Sequence, residues 1–100
     1  ANAIHVRIWN GKTTGWMATP TPTIEGNTLK WNVVSGAVSW QLERRTLQPD
    51  GWGNWGPKSK LDAQVQSWVE KESFKAAAYR LRAIGNDGAK SDWSATIYQR

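Results

Sequence analysis

Apolar and polar residues alternate at every second position through the middle of this chain, and helical spacing with caps never replaces that beat. Val38, Trp40 and Leu42 share a face opposite Ser39, Gln41, Glu43 and Arg45. Ala77, Tyr79, Leu81 and Ala83 do the same from Ala76 to Ile84. Leu29, Trp31 and Val33 alternate in the run Thr28 to Val34. A period of two specifies strands with one buried and one solvated face. Turn residues punctuate these runs at Gly26-Asn27, Ser35-Gly36-Ala37 and Gly85-Asn86-Asp87-Gly88. Short strands with turn signals roughly every 8–12 residues predict an all-β antiparallel sandwich of about seven strands.

The chain has 100 residues, 39% of them hydrophobic, which suits one core and leaves no room for a second. It has no cysteine, so apolar burial must hold the fold without a disulfide or thiolate–metal staple. No apolar run approaches the ~20 residues of a membrane span. The start, Ala1 to Arg7, lacks the basic and apolar regions of a signal peptide and reads as a cut inside a longer polypeptide. Residues 1–20 are expected to form a lead-in hairpin, with Asn10-Gly11 as its turn, and a proline-rich linker from Ala18 to Pro22. Residues 21–100 are expected to form the domain. The stretch Gln48 to Pro57 loses the strand period and reads as a loop or a loop with a short edge strand. Val65 to Val69 reads as a strand, and a last strand is expected over about Trp93 to Gln99.

The ordered set Leu29-Lys30-Trp31, Val38 to Glu43, Tyr79 to Gly88 and Ser91-Asp92-Trp93-Ser94 resembles a fibronectin type III domain, an immunoglobulin-like sandwich. The likeness covers about Thr21 to Gln99. It implies that Trp31 is the core tryptophan of strand B and that Trp40 opens the buried face of strand C. It also matches Ala83, Asn86 and Gly88 to the end of strand F, and Ser91 to Ser94 to the opening of strand G. One feature departs. The position matched to the family's corner tyrosine is Ala77, with the aromatic at Tyr79 instead, so an atypical connection between strands E and F is expected.

Eight tryptophans dominate the aromatic content. Trp31 and Trp40 are assigned to the core, where each ring removes ~150–250 Å² from water. Arg80 and Arg82 project from the face opposite Tyr79 and Leu81, so the Trp93 ring is expected against their guanidinium groups as a cation–π stack. Similar stacking in the fibronectin III domains of cytokine receptors supports this through the resemblance. The alternative places Trp93 in the core and leaves both arginines in water. Trp52 and Trp55, three apart among glycines, are candidates for an exposed contact surface together with Lys58 and Lys60; folding back as a lid over one end of the sandwich is the other reading. Trp9, Trp16 and Trp68 are read as structural, with Trp9 and Trp16 able to meet an adjoining domain.

The net charge is +5, but its basic residues are scattered and interleaved with acidic ones, a pattern that does not point to nucleic acid. The single histidine, His5, has no clustered ligands and no nucleophile partner. Glu70 and Glu72 are read as solvated charges rather than a carboxylate pair. Catalytic, cofactor and metal residues are therefore expected to be none. The reading that follows is a non-catalytic structural or adhesion module of a larger protein. Similar tryptophan-rich domains occur in phage tail proteins that attach to hosts and in secreted bacterial polysaccharide hydrolases, where the module would bind carbohydrate. Neighbouring domains and a protein or glycan ligand are the expected partners, in an extracellular or virion setting.

Overall fold

The computed structural model describes residues 17–99, together with the backbone of β1 (Arg7–Trp9) and β2 (Lys12–Thr14). These two strands pair antiparallel with Trp9 opposite Lys12. His5, Asn10, Gly11 and the side chains of Trp9 and Trp16 lie outside the described residues.

All remaining elements are strands. One sheet is three-stranded, in the order β3 (Thr23–Glu25), β4 (Thr28–Lys30) and β8 (Ser67–Val69). The other is built on β5 (Ala37–Gln48), which pairs β9 (Ala77–Gly85) on one side and β7 (Gly56–Asp62) on the other. β10 (Ile97–Gln99) completes it beyond β9, and β6 (Gly51–Trp52) folds back on the end of β5. Every pairing is antiparallel. The result is a two-sheet β-sandwich. No helix among the described residues is long and apolar enough to cross a membrane.

Local chemistry sets the joints. β3 and β4 are joined by Gly26-Asn27, where Gly26 takes a φ of 58° that a side chain would oppose. Gly85 ends β9 where a Cβ would sit 3.1 Å from the Met17 sulfur, so a larger residue there would displace a core side chain. Met17, Pro20 and Pro22 are buried, and the compact body thus draws on residues ahead of Thr21.

The core lies between the sheets. Trp40, Leu42, Tyr79, Leu81 and Leu29 are its largest fully buried side chains. Trp40 faces Ala83 on one side and Leu61 on the other, a large ring flanked by smaller groups in register. Trp31 meets Trp40 edge-on at 5.9 Å, and Trp68 meets Tyr79 at 6.0 Å, so two aromatic pairs join the layers.

The alternation fails at two expected core positions. Val33 is 73% exposed, because strand pairing stops at Lys30 and the chain then leaves the sheet. Trp31 still holds Gln66 by a 3.1 Å backbone bond, but Asn32 turns its side chain to the Thr21 amide and Val34 becomes the buried residue instead. Val38 is 45% exposed because the register with β9 shifts between Ala37 and Ser39, which leaves Val38 as an unpaired bulge residue. The segment Gly56–Asp62, partly read as loop, is an edge strand, a place in a sheet that tolerates proline, and Pro57 sits beside its bulge. The expected last strand is shorter: only Ile97–Gln99 pairs as strand.

These differences separate two substitutions. Trp40→Ala is expected to cost about 3–5 kcal/mol in urea unfolding, whereas Val38→Thr should stay within about 0.5 kcal/mol. A comparable loss from both would contradict the bulge.

Candidate functional site

Two constellations of polar and aromatic side chains flank the β5–β9 pair. On the outer face, the period of two that buries Trp40 and Leu42 points Gln41, Glu43 and Arg45 outward. The register sets Gln41 beside Arg82, Glu43 beside Arg80 and Arg45 beside Ala78. Arg80 donates from Nε (2.9 Å) and from Nη2 to the Glu43 carboxylate, and Arg82 Nε donates to Gln41 Oε1 at 2.7 Å. The guanidinium groups are thereby held flat.

Tryptophans fill the gaps between them. The turn from Gln48 to Gly51 folds the chain back, with Leu47 opposite Trp52 and the Gly53 amide on the Thr46 carbonyl. This return brings Trp52 and Trp55 to the Arg45 guanidinium, 5.4 and 4.9 Å from its carbon. Arg80 sits 4.5 Å from Trp55 and 4.3 Å from Trp93; Arg82 sits 4.3 Å from Trp93. The order is Trp52, Arg45, Trp55, Arg80, Trp93, Arg82, rings and cations alternating. Each contact at a half-buried site is worth on the order of 0.5–1 kcal/mol, and together they fix the sheet surface. Arg45 Nε is buried without a hydrogen-bond acceptor among the described residues, and the ring faces on either side are its compensation.

Two serines hold Trp93 in this ladder. The Ser91 and Ser94 amides donate to the carbonyls of Ala83 and Leu81, at 2.9 and 2.8 Å. Their hydroxyls accept from the Ala83 and Leu81 amides in return, at 2.9 and 3.0 Å. Each hydroxyl then donates to the next residue's carbonyl. Side-chain oxygens thus stand in for a strand's carbonyls, which is why no strand forms there.

The second constellation sits where β8 leads to β9. Glu70, read from sequence as solvated, is only 2% exposed. Arg44 Nη1 donates to it at 2.8 Å, the Tyr79 hydroxyl donates to the same oxygen at 2.8 Å, and the Glu72 amide donates to the other at 3.2 Å. Arg44 also reaches Glu72 at 3.2 Å and lies over the Phe74 ring. Burial alone would push the Glu70 carboxyl up, but the bonds from Arg44, Tyr79 and the Glu72 amide outweigh it and hold the group below the usual carboxylate range. Burial and the Glu70 acceptor push the Tyr79 phenol far up, so it remains a neutral donor. Burial works against the Arg44 charge, and the bonds to Glu70 and Glu72 more than restore it. Tyr79 therefore ties down the E–F connection itself, through a carboxylate.

The positions singled out from sequence fall into two groups. Trp52, Trp55, Trp93, Arg80 and Arg82 come together in the ladder. Lys58 and Lys60 do not join it: Lys58 is the extra residue of a bulge opposite Leu42 and Glu43 and reaches Glu72 at 3.7 Å, while Lys60 is exposed opposite Gln41. Trp52 and Trp55 are half-buried rather than free-standing platforms. Arg45, Gln41, Glu43 and Glu70 were not singled out; for the first three, their shared parity on β5 was the available signal. No group of three or more His, Cys, Asp or Glu among the described residues could hold a metal ion.

Removing Glu70 tests the corner. Its folded carboxyl lies below the unfolded value of about 4.3, so its contribution is complete above that pH and is lost as pH falls through the folded value. Glu70→Gln should cost about 3 kcal/mol at pH 7 in urea unfolding, at the low end for a broken buried pair because Arg44 keeps Glu72. It should also flatten the acid limb of the stability profile; an unchanged limb would contradict the assignment.

No family model matches the sequence, and no curated protein matches it. Solved structures do. A Fn3-like protein from Clostridium thermocellum is similar at TM-score 0.62 and 22% identity, over 84% of this chain and 92% of that one. The fibronectin type-III domain of human fibronectin type III domain containing protein 3 is similar at TM-score 0.56 and 19% identity, over 91% and 90%. With its three- and five-stranded sheets and its buried Trp31 and Trp40, this chain has the fold of a fibronectin type III domain.

Proposed function

We propose that the domain is a non-catalytic, rigid spacer in a larger modular protein, holding its neighbouring domains at a fixed separation. The observation that carries this is where the chain enters and leaves the sandwich. Met17 packs at Gly36 and Gly85, at the far end of β9, while Gln99 pairs with Ala77 at its start. Eight residue steps of strand separate these points, roughly 27 Å. Neighbours attached there would sit at opposite poles, with loops at both ends free for adhesive contacts. The outer ladder supports the same reading, since its rings and cations satisfy one another and stiffen the central strands.

Within that reading, the host protein is a phage tail protein that attaches to a host or a secreted bacterial polysaccharide hydrolase, in a virion or extracellular setting. Freedom from cysteine and the short connections support it. One observation favours a second reading: Trp52 and Trp55 keep partly exposed rings on which a sugar could stack, as in a carbohydrate-binding module.

One experiment separates the readings. Spin labels at Ala18→Cys and Lys71→Cys, both exposed and at opposite poles, should give a single narrow distance distribution that neutral oligosaccharides leave unchanged. A broad distribution would contradict the spacer. A fluorescence change with neutral oligosaccharides, lost in the Trp52→Ala/Trp55→Ala double variant, would establish the carbohydrate-binding reading instead.

A further inference from the structure

The ladder is asymmetric at its end. Arg80 has a ring on each side and the Glu43 carboxylate against its edge, so its charge and faces are both satisfied. Arg82 occupies the equivalent place one step along, but its cross-strand neighbour is the neutral Gln41. Only one ring, Trp93, covers it. Among the described residues no carboxylate pairs with Arg82 or with Lys60, and the terminal nitrogens of Arg82 have no acceptor. Lys60, Gln41 and Arg82 stand in one row across β7, β5 and β9. That row borders a surface cavity of about 360 Å³ lined also by Lys58, Ser59 and Glu43. Lys58 leans to Glu72 and Glu43 is taken by Arg80, which leaves two uncommitted cations facing one space.

A guanidinium held flat by a ring and by a bond to Nε presents its remaining donors as a fixed fork. Such a fork matches the planar, two-oxygen geometry of a carboxylate, and its ordering entropy is already spent. The Lys60 ammonium adds a point charge, and the Gln41 amide and Ser59 hydroxyl add groups that bond to alcohols. The volume lies within the range of small-ligand sites. We infer that this cavity binds the carboxylate of a uronic acid residue in an acidic polysaccharide, with Arg82 and Lys60 on the carboxylate and Gln41 and Ser59 on ring hydroxyls. An acidic peptide fits less well. The adjacent edge strand is interrupted by Pro57 and by the bulge at Lys58, so an extended peptide has no continuous ladder to pair with. The site is independent of the spacer reading and lies on a different part of the face from Trp52.

The test is a heteronuclear NMR titration of the whole chain with oligogalacturonate, with its methyl ester of equal length and with an oligoglutamate peptide. Oligogalacturonate should shift the Arg82 Nε–H and Lys60 amide signals saturably, and the methyl ester should shift neither. Lys60→Gln, at an exposed position that does not threaten folding, should weaken binding about tenfold, and Arg82→Lys, which keeps the charge but removes the fork, by at least as much. Equal binding of the methyl ester, no saturable shift with oligogalacturonate, or unchanged affinity in Lys60→Gln would overturn the site. Equal affinity for oligoglutamate would overturn its assignment to a polysaccharide.

Discussion

The antiparallel pairing of β5 with β9 is the interaction on which the rest of the molecule depends. Its register, running from Ser39 opposite Ile84 to Thr46 opposite Ala77, commits alternate residues of both strands to opposite faces. Inward go Trp40, Leu42, Tyr79, Leu81 and Ala83, which are the centre of the core. Outward go Gln41, Glu43, Arg45, Arg80 and Arg82, which carry the ladder. A slip of one residue would exchange the two sets, placing arginines in the core and the largest apolar rings in water. In a chain without cysteine, this double commitment takes the place of a covalent staple.

Two further devices grow from the same pair of strands. At the far end from Gly85, Arg44 and Tyr79 reach from β5 and β9 to the buried Glu70, joining the five-stranded sheet to the connection that follows β8. Along the edge of β9, the serine hydroxyls of Ser91 and Ser94 take the amide bonds that a neighbouring strand would have taken, and so aim Trp93 outward between two arginines. One is a charged clamp inside the sandwich and the other an aromatic clamp outside it. Both satisfy polar groups that the pairing itself leaves open.

How far the sequence could be read follows from the range of the interactions. The period of two along β5 and β9 is local, and it identified Trp40, Leu42, Tyr79 and Leu81 as core. Val33 and Val38 escaped because a chain departure and a bulge change the phase, and neither is visible without the partner strand. Most of β7 went unread for another reason: Gly56 to Lys60 carries no apolar alternation, and Leu61 is its one apolar residue packed against the core. Tryptophans 52 and 55 could be seen as unusual, but Arg45 meets them only after the turn at Gly51. Glu70 could not be distinguished from its solvated neighbour Glu72, since its partner Arg44 lies 26 residues earlier.

A sandwich whose chain enters and leaves at opposite poles, and whose outer face is stiffened by interleaved rings and cations, is suited to carrying neighbours at a constant distance while offering a small charged cavity at its side. The most direct test of the underlying claim is native-state hydrogen exchange. Amides of residues 40–44 and 79–83 should exchange only through global unfolding, and the Leu81 and Ala83 amides, bonded to serine hydroxyls rather than to a strand, should be as slow as the rest. Faster exchange along β5 and β9 than along β3, β4 and β8 would contradict the account.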